Sequence, residues 1–77
     1  RTPVQEMLAK IWSQSLRLDR VGIHDNFFTL GGHSLLAAQV IFQVRNTFQI
    51  ELPLRCLLNS PTVAGLAESI EKVQSTI

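Results

Sequence analysis

Three segments of the chain carry apolar residues at the spacing of an amphipathic helix, and no segment alternates apolar and polar residues over a useful length. Side chains three and four residues apart share one face of a helix, whereas a strand requires a period of two. The pattern therefore predicts an all-helical fold and argues against a sheet. The residues expected on the inward faces are Val4, Leu8, Ile11, Trp12 and Leu16, then Leu36, Ala37, Val40, Ile41, Val44 and Phe48, and finally Val63, Leu66, Ala67, Ile70 and Val73.

Two similar signals mark helix starts. Thr2 can cap a first helix, Pro3 suits its first helical position, and Gln5 stands where a capping-box partner belongs. Ser60-Pro61 repeats the hydroxyl–proline pair before the last apolar segment. We therefore predict an all-α four-helix bundle with three long helices, one short helix and a long first loop. The predicted elements are a first helix ending between Leu16 and Leu18, a loop from Asp19 to His33, a second helix from about Ser34 to about Phe48, a short helix within Leu54 to Asn59, and a last helix starting at Ser60-Pro61.

The composition limits the chain to one small domain, which we expect to cover residues 1–77. Seven Lys and Arg residues balance six Asp and Glu residues, and a net charge of +1 without a basic cluster argues against a nucleic-acid partner. The longest apolar stretch, from Leu35 to Phe42, is too short to span a membrane. A single cysteine, Cys56, fits a reducing compartment and predicts a cytoplasmic location. Because the chain opens on Arg1 and its only methionine is Met7, we expect it to be excised from a longer multidomain polypeptide.

The predicted first loop is too long for a simple bundle turn, but it contains residues that can pin it to the core. Its apolar anchors are Val21, Ile23, Phe27, Phe28 and Leu30. We expect at least one of Phe27 and Phe28 to be buried, and Asp25 either to cap the local turn or to hold the loop backbone through its side chain. Long, anchored loops are more often functional than incidental.

The sequence DNFFTLGGHSL at residues 25–35 ends this loop and places Ser34 at the mouth of the second helix. A serine there is accessible and close to the positive end of the helix dipole, which suits attachment of an anion-bearing group. The segment resembles the phosphopantetheine attachment site of a peptidyl carrier (thiolation) domain of a nonribosomal peptide synthetase, within the phosphopantetheine-binding acyl-carrier family. LPLR at residues 52–55 and SPTVAGLA at residues 60–67 resemble that family's route into its third and fourth helices.

The resemblance implies covalent 4′-phosphopantetheine on Ser34, with the thiol of that arm carrying aminoacyl or peptidyl groups as thioesters. The motif residues that it implies as support are Asp25, Phe28, Gly31, Gly32, His33 and Leu35. It further implies a bundle of acyl-carrier type that is monomeric when isolated, non-catalytic and without a metal of its own. The implied partners are a phosphopantetheinyl transferase, using coenzyme A and its own magnesium ion, and the adenylation, condensation and thioesterase or tailoring domains of an antibiotic-producing or other secondary-metabolite synthetase.

The outer side of the predicted second helix is apolar over much of its surface. The residues opposite the core stripe are Leu35, Ala38, Gln39, Phe42 and Asn46, and Arg45 is the only charge in the helix. A helix that is apolar around most of its circumference should be buried or have partners, and no further element remains to cover this side. We therefore expect Leu35, Ala38 and Phe42 to dock partner enzymes, in agreement with how the family presents this helix; the alternative for Phe42 is that it twists inward.

Other interpretations of Ser34 are weaker. It could be an ordinary helix cap in a small helical interaction module. An acyl carrier of a polyketide or fatty-acid system is a nearer alternative, against which His33 and the absence of acids in the second helix count. A serine hydrolase comes last, because Leu36 stands where a Gly-x-Ser-x-Gly elbow needs its second glycine, and adjacent His24 and Asp25 cannot easily line up in a relay.

Three further expectations concern single residues. Gly31 and Gly32 are expected to let an enzyme's active site approach the serine backbone closely. Cys56 is expected to be a small buried apolar residue in the short helix. His24, His33 and Cys56 have no metal-ligand spacing, so we expect no metal site.

Overall fold

A computed structural model describes residues 2–75 of the chain as four helices joined by loops. The helices are α1 (Pro3–Leu16), α2 (Ser34–Phe48), α3 (Leu54–Asn59) and α4 (Val63–Ser75), and the described residues include no strand. The predicted all-α bundle with three long helices, one short helix and a long first loop is confirmed. The expectation of a single domain over residues 1–77 also takes in residues 1, 76 and 77, which lie outside the described residues.

The start of α1 follows from its first residues, as the sequence predicts. The Thr2 hydroxyl accepts a hydrogen bond from the Gln5 amide at 3.1 Å, and the Thr2 amide donates to the Gln5 side chain at 3.1 Å. This reciprocal pair is a capping box, and Pro3 occupies the first helical turn, where a missing amide proton costs nothing. The helix ends when Arg17 adopts the left-handed conformation (φ 57°, ψ 48°) and its amide donates to the Ser13 carbonyl.

The last helix was predicted to start at Ser60-Pro61, but α4 starts at Val63. Ser60 instead terminates α3, where its amide donates to the Cys56 carbonyl at 3.1 Å. The side chain that caps α4 belongs to Thr62, whose hydroxyl accepts a hydrogen bond from the Gly65 amide at 3.0 Å. Because Ser60 is held by the preceding helix, the next hydroxyl along the chain takes the capping position, and α4 begins at Val63.

The core draws on every helix and on the loops between them. Its buried residues are Leu8, Ala9, Ile11 and Trp12 of α1, Ala37, Val40, Ile41 and Val44 of α2, Leu57 of α3, Val63, Leu66, Ala67 and Ile70 of α4, and Val21, Phe27 and Leu52 of the connecting segments. The other residues predicted to face inward lie partly buried at its edge: Val4, Leu16, Leu36, Phe48 and Val73. Cys56, expected to be buried, is only partly so and packs against the core, because the short α3 has a single fully buried position, Leu57.

The long first loop is fixed to the rest of the domain by side chains and by backbone hydrogen bonds. Phe27 is fully buried and its amide donates to the Pro61 carbonyl at 2.7 Å. Ile23 is partly buried, and its carbonyl accepts from the Ala64 amide at 2.9 Å. The loop is therefore anchored, as predicted, and both hydrogen bonds hold it against the beginning of α4.

A buried polar atom in this core lacks a partner. The indole Nε1 of Trp12 is buried and makes no hydrogen bond with the described residues. Its ring meets the Phe27 ring edge to face, with centroids 5.0 Å apart and planes at 73°.

Among the helices described, none combines the length and the apolar character that crossing a bilayer demands.

The two sides of α2 should respond differently to truncation. Val40 is fully buried, so Val40→Ala should lower the free energy of unfolding by at least about 1.5 kcal/mol through the loss of two buried methyl groups and the cavity left behind. Phe42 is 67% exposed, so Phe42→Ala should change it by less than about 0.5 kcal/mol. Denaturant unfolding of both variants measures the two values. A Phe42→Ala loss as large as that of Val40→Ala would contradict the assignment of the two faces.

Candidate functional site

Ser34 is the first residue of α2, and its side chain is not used to cap the helix. The preceding residue, His33, has extended backbone angles (φ −149°, ψ 177°), and its Nδ1 accepts a hydrogen bond from the Leu36 amide at 3.4 Å. The interpretation of Ser34 as an ordinary helix cap is therefore wrong, because the ring nitrogen of His33 fills that role. Ser34 is exposed, and its hydroxyl makes no hydrogen bond to another described residue.

The electrostatic surroundings of Ser34 favour an anion. The first turn of α2 contains no acidic residue, and neither does the rest of the helix. Its only charged side chain, Arg45, lies in the last turn and pairs with Glu51 at 2.7 Å. The exposed amides at the start of a helix carry a partial positive charge, which here is not neutralised by a carboxylate of the same helix. A phosphodiester formed on the Ser34 hydroxyl would fit this position.

The two glycines before His33 are required for different reasons. Gly31 has a φ of +107°, a backbone conformation that L-residues rarely adopt, and a Cβ there would meet nothing within 4 Å. At Gly32 a Cβ would overlap the Phe27 ring and lie 2.8 Å from the Phe27 carbonyl oxygen. Gly32 is therefore required by its packing against the Phe27 ring, and its role in letting an enzyme approach the serine backbone stays a prediction. For Gly31, which faces open space, close approach of an enzyme remains a prediction.

Two polar side chains organise the loop that leads to the site. The Asp25 carboxylate accepts a hydrogen bond from the Gly22 amide at 2.9 Å, so Asp25 does hold the loop backbone. The Asn26 side chain accepts from the Phe28 amide at 2.8 Å and from the Thr29 amide at 3.2 Å. Asn26 was assigned no role from the sequence. Its place within a loop is the signal that could have found it, since Asn often accepts from amides two residues further along the chain.

The two loop phenylalanines have different environments. Phe27 is fully buried, whereas Phe28 is 36% exposed and stacks edge to face on Phe27 with centroids 5.4 Å apart. The prediction that at least one is buried is confirmed.

The outer side of α2 is exposed along the whole helix. Leu35 is 65% exposed and Phe42 is 67% exposed, so Phe42 does not twist inward. Ala38 between them is also exposed, and no other described element covers these residues. We call Leu35, Ala38 and Phe42 the apolar patch. Its role in docking remains a prediction.

Residues 2–75 do not bring together a hydrolase relay or a group of metal ligands. Within residues 2–75, no hydrogen bond links Ser34 to His24 or Asp25, whose carboxylate is held by the Gly22 amide instead. No group of three His, Cys, Asp or Glu residues in the described part of the chain could hold a metal ion.

Known proteins are similar to this chain in sequence and in fold. A family model described as "Phosphopantetheine attachment site" matches residues 6–70. Gramicidin S synthase 2 from Brevibacillus brevis is 52% identical over 75 residues, which is 97% of this chain and 2% of that protein. The chain therefore spans a very small part of the length of such curated relatives.

Two solved structures have the same fold. A peptidyl carrier protein, in a complex with the phosphopantetheine transferase Sfp and coenzyme A, matches with a TM-score of 0.90 and 42% identity over 94% of each chain. The solution structure of PCP, described as a prototype for the peptidyl carrier domains of modular peptide synthetases, matches with a TM-score of 0.83 and 44% identity, covering 92% of this chain and 93% of that one.

The chain therefore belongs to the phosphopantetheine attachment site family, and within it to the peptidyl carrier domains of nonribosomal peptide synthetases. The covalent cofactor of such a domain is 4′-phosphopantetheine. The start of α2 fits this group, because it presents an exposed hydroxyl without a hydrogen-bond partner among the described residues, at the positive end of a helix without acidic residues.

The cap geometry gives a stability prediction. His33→Ala removes the side chain that accepts from the Leu36 amide and should lower the free energy of unfolding by about 0.5–1 kcal/mol. His33→Asn should restore most of that loss, since Asn is a strong N-cap. Ser34→Ala should stay within about 0.5 kcal/mol of the wild type. Denaturant unfolding ranks the three variants, and a Ser34→Ala loss as large as that of His33→Ala would show that the serine caps the helix after all.

Proposed function

We propose that this domain carries aminoacyl and peptidyl intermediates of nonribosomal peptide synthesis, with 4′-phosphopantetheine attached to the hydroxyl of Ser34. When bound, that group supplies a thiol on a flexible arm, on which the intermediates are held as thioesters. The observation that carries the assignment is the position of Ser34: an exposed, unpaired hydroxyl among the described residues, at the start of α2 and inside the matched attachment-site region.

The attachment step is a phosphoryl-group transfer to Ser34. Its Oγ forms a bond to a phosphorus of coenzyme A, and the bond from that phosphorus to adenosine 3′,5′-bisphosphate breaks. A base of the transferase would take the hydroxyl proton. The transferase's magnesium ion would stabilise the negative charge on the phosphate that is transferred. This chain contributes an accessible oxygen and a helix start that tolerates the new negative charge.

The partners follow from this cycle. A phosphopantetheinyl transferase modifies the domain, and the similar carrier in complex with Sfp and coenzyme A supports this assignment. An adenylation domain then loads it, and condensation, thioesterase or tailoring domains receive the intermediate. The apolar patch is the surface on which we expect them to dock, because it is exposed and lies on the same helix as Ser34.

The domain itself is proposed to be non-catalytic. Carrier domains of this family are not catalysts, and Ser34 has no hydrogen-bonded base among the described residues. We propose further that residues 1–77 form one domain of a multidomain cytoplasmic synthetase, monomeric when isolated. Tethering then gives the arm a high effective concentration at each neighbouring active site.

Loss of the hydroxyl should abolish the modification without unfolding the domain. Incubated with coenzyme A and a broad-specificity phosphopantetheinyl transferase, the wild type should gain one adduct and Ser34→Ala none, as measured by intact mass. Peptide mapping of the wild type should place the adduct on Ser34. An adduct mapped to Ser13, Ser60 or Cys56 would contradict the assignment.

Recognition of the domain should rest on the apolar patch more than on charge. Leu35→Ala and Phe42→Ala should each lower kcat/KM for modification about fivefold or more, the effect of truncating an interface residue worth over about 1 kcal/mol. The matched control is Gln43→Ala, an exposed residue that lies about 100° around the helix from Phe42.

Since α2 has no acidic residue, the rate should also depend little on ionic strength and should be low with a transferase adapted to acidic fatty-acid carriers. A series of rates with both transferases across salt concentrations tests this. A steep fall with salt, or equal rates with both enzymes, would show that charge elsewhere on the domain directs recognition.

A further inference from the structure

Phe27 joins the attachment loop to the core through several independent interactions. Its ring is fully buried and meets the Trp12 ring edge to face, with centroids 5.0 Å apart. Its amide donates to the Pro61 carbonyl at 2.7 Å, which ties the loop to the segment before α4. Its carbonyl accepts from the Gly32 amide at 3.0 Å. The same residue therefore contacts α1, the connection into α4 and the last turn of the loop.

The contact between Phe27 and Gly32 is tight. A single methyl group at Gly32 would overlap atoms Cδ2 and Cε2 of the Phe27 ring, so the glycine backbone lies directly against a buried aromatic side chain. The backbone at Gly32 cannot move inward, because the ring blocks it, and its amide is held by the Phe27 carbonyl. Phe27 thus fixes the position of Gly32, the residue before the helix cap His33.

The segment between Gly32 and Ser34 is short and is held at both ends. On the helix side, His33 is fixed by its cap to the Leu36 amide and by the hydrogen bond from the Ala37 amide to its carbonyl at 2.8 Å. On the loop side, Gly32 is held by its contact with the Phe27 ring and by the hydrogen bond from its amide to the Phe27 carbonyl, and the preceding Gly31 amide donates to the Phe28 carbonyl at 3.2 Å. The path by which the loop enters α2 at Ser34 therefore depends on Phe27.

Phe28 provides a contrast on the same loop. It is 36% exposed, and its amide is bound by the side chain of Asn26, two residues away. Its interactions with the backbone are local, whereas those of Phe27 span the domain. Phe27 therefore links the loop to other elements of the domain, whereas the backbone hydrogen bonds of Phe28 stay within the loop.

We propose that Phe27 is a positioning residue for the modification of Ser34: through Gly32, its buried ring sets the position from which the hydroxyl attacks coenzyme A on the transferase. The proposal rests on the proposed function of Ser34 as the attachment residue. Phe27 is fully buried, so its side chain is not available to the transferase and its truncation should leave binding of the domain to the transferase unchanged. The loss should appear in kcat, because displacement of a reacting atom by about 1 Å can slow a reaction about 100-fold.

The central experiment compares Phe27→Leu with core variants whose stability losses lie on either side of its own. Ile70 is fully buried in α4, so Ile70→Val and Ile70→Ala give a mild and a severe loss of stability that should bracket that of Phe27→Leu. Modification is measured with coenzyme A and the transferase well below the unfolding temperature of every variant. We expect Phe27→Leu to lower kcat about tenfold or more with an unchanged KM, and both Ile70 variants to keep the wild-type kcat. The opposite contrast is Phe42→Ala, which should raise KM.

Gly32→Ala approaches the same contact from the other side, because the new methyl group overlaps the Phe27 ring and forces the ring or the backbone to shift. It should also lower kcat, and the double variant Phe27→Leu/Gly32→Ala should lose less than the product of the two single losses, because both act through one contact. In the double variant Gly32→Ala/Ile70→Val, the fold-loss in kcat should instead equal the product of the two single losses. If Phe27→Leu proves too unstable to assay, the Gly32→Ala variant alone still decides whether the position of residue 32 controls kcat.

Amide hydrogen exchange gives a readout that general destabilisation does not move. Phe27→Leu should speed exchange of the Gly32 amide selectively, relative to the Leu66 amide in α4, because only the former depends on the position of Phe27.

The outcomes separate the two proposals. If the wild type gains no adduct on Ser34, the proposed function fails. If the wild type is modified there but Phe27→Leu matches the Ile70 variants in kcat, or loses only in KM, or if the double variant loses the full product, the positioning role is wrong.

Discussion

The contact between the buried Phe27 ring and Gly32 is the interaction that holds the first loop on the core next to the start of α2. A chain of 77 residues has a small core, so a long loop would be expected to lie on the surface with little to hold it. Here the loop gives two fully buried residues to the core, Val21 and Phe27, and two backbone hydrogen bonds to the region where α4 begins. Ser34, the proposed attachment residue, follows directly after this loop, so the loop behaves as a structural element with a defined position.

The helices and their inward faces could be predicted from the sequence because both follow from short-range spacing. Period 3.6 in the apolar residues and the capping box at Thr2 and Gln5 are local properties, and the structure agrees with both. The start of α4 could not be placed in the same way. Ser60 and Thr62 are two hydroxyls on either side of one proline, and the choice between them depends on how α3 ends. Local sequence does not contain that information.

The site shows the same division between local and long-range information. Ser34, its exposure and the apolar patch could be expected from the motif and the helix period. The role of Gly32 could not, because its neighbour in space is the side chain of Phe27, and the direction of that ring is set by the packing of the whole core. The cap by His33 was missed for another reason: histidine is not among the residues usually chosen as an N-cap, although its unprotonated ring nitrogen can accept the same hydrogen bond.

The edge-to-face pair of Trp12 and Phe27 makes the domain its own optical probe. The chain contains one tryptophan and no tyrosine, so its near-ultraviolet emission comes from a single place, the junction of α1 with the attachment loop. The indole Nε1 there is shielded from water and lacks a hydrogen bond within the described residues, and indole emission shifts to longer wavelength when water reaches the ring. Any loosening of the loop in the isolated, unlabelled domain can thus be followed through the emission of Trp12.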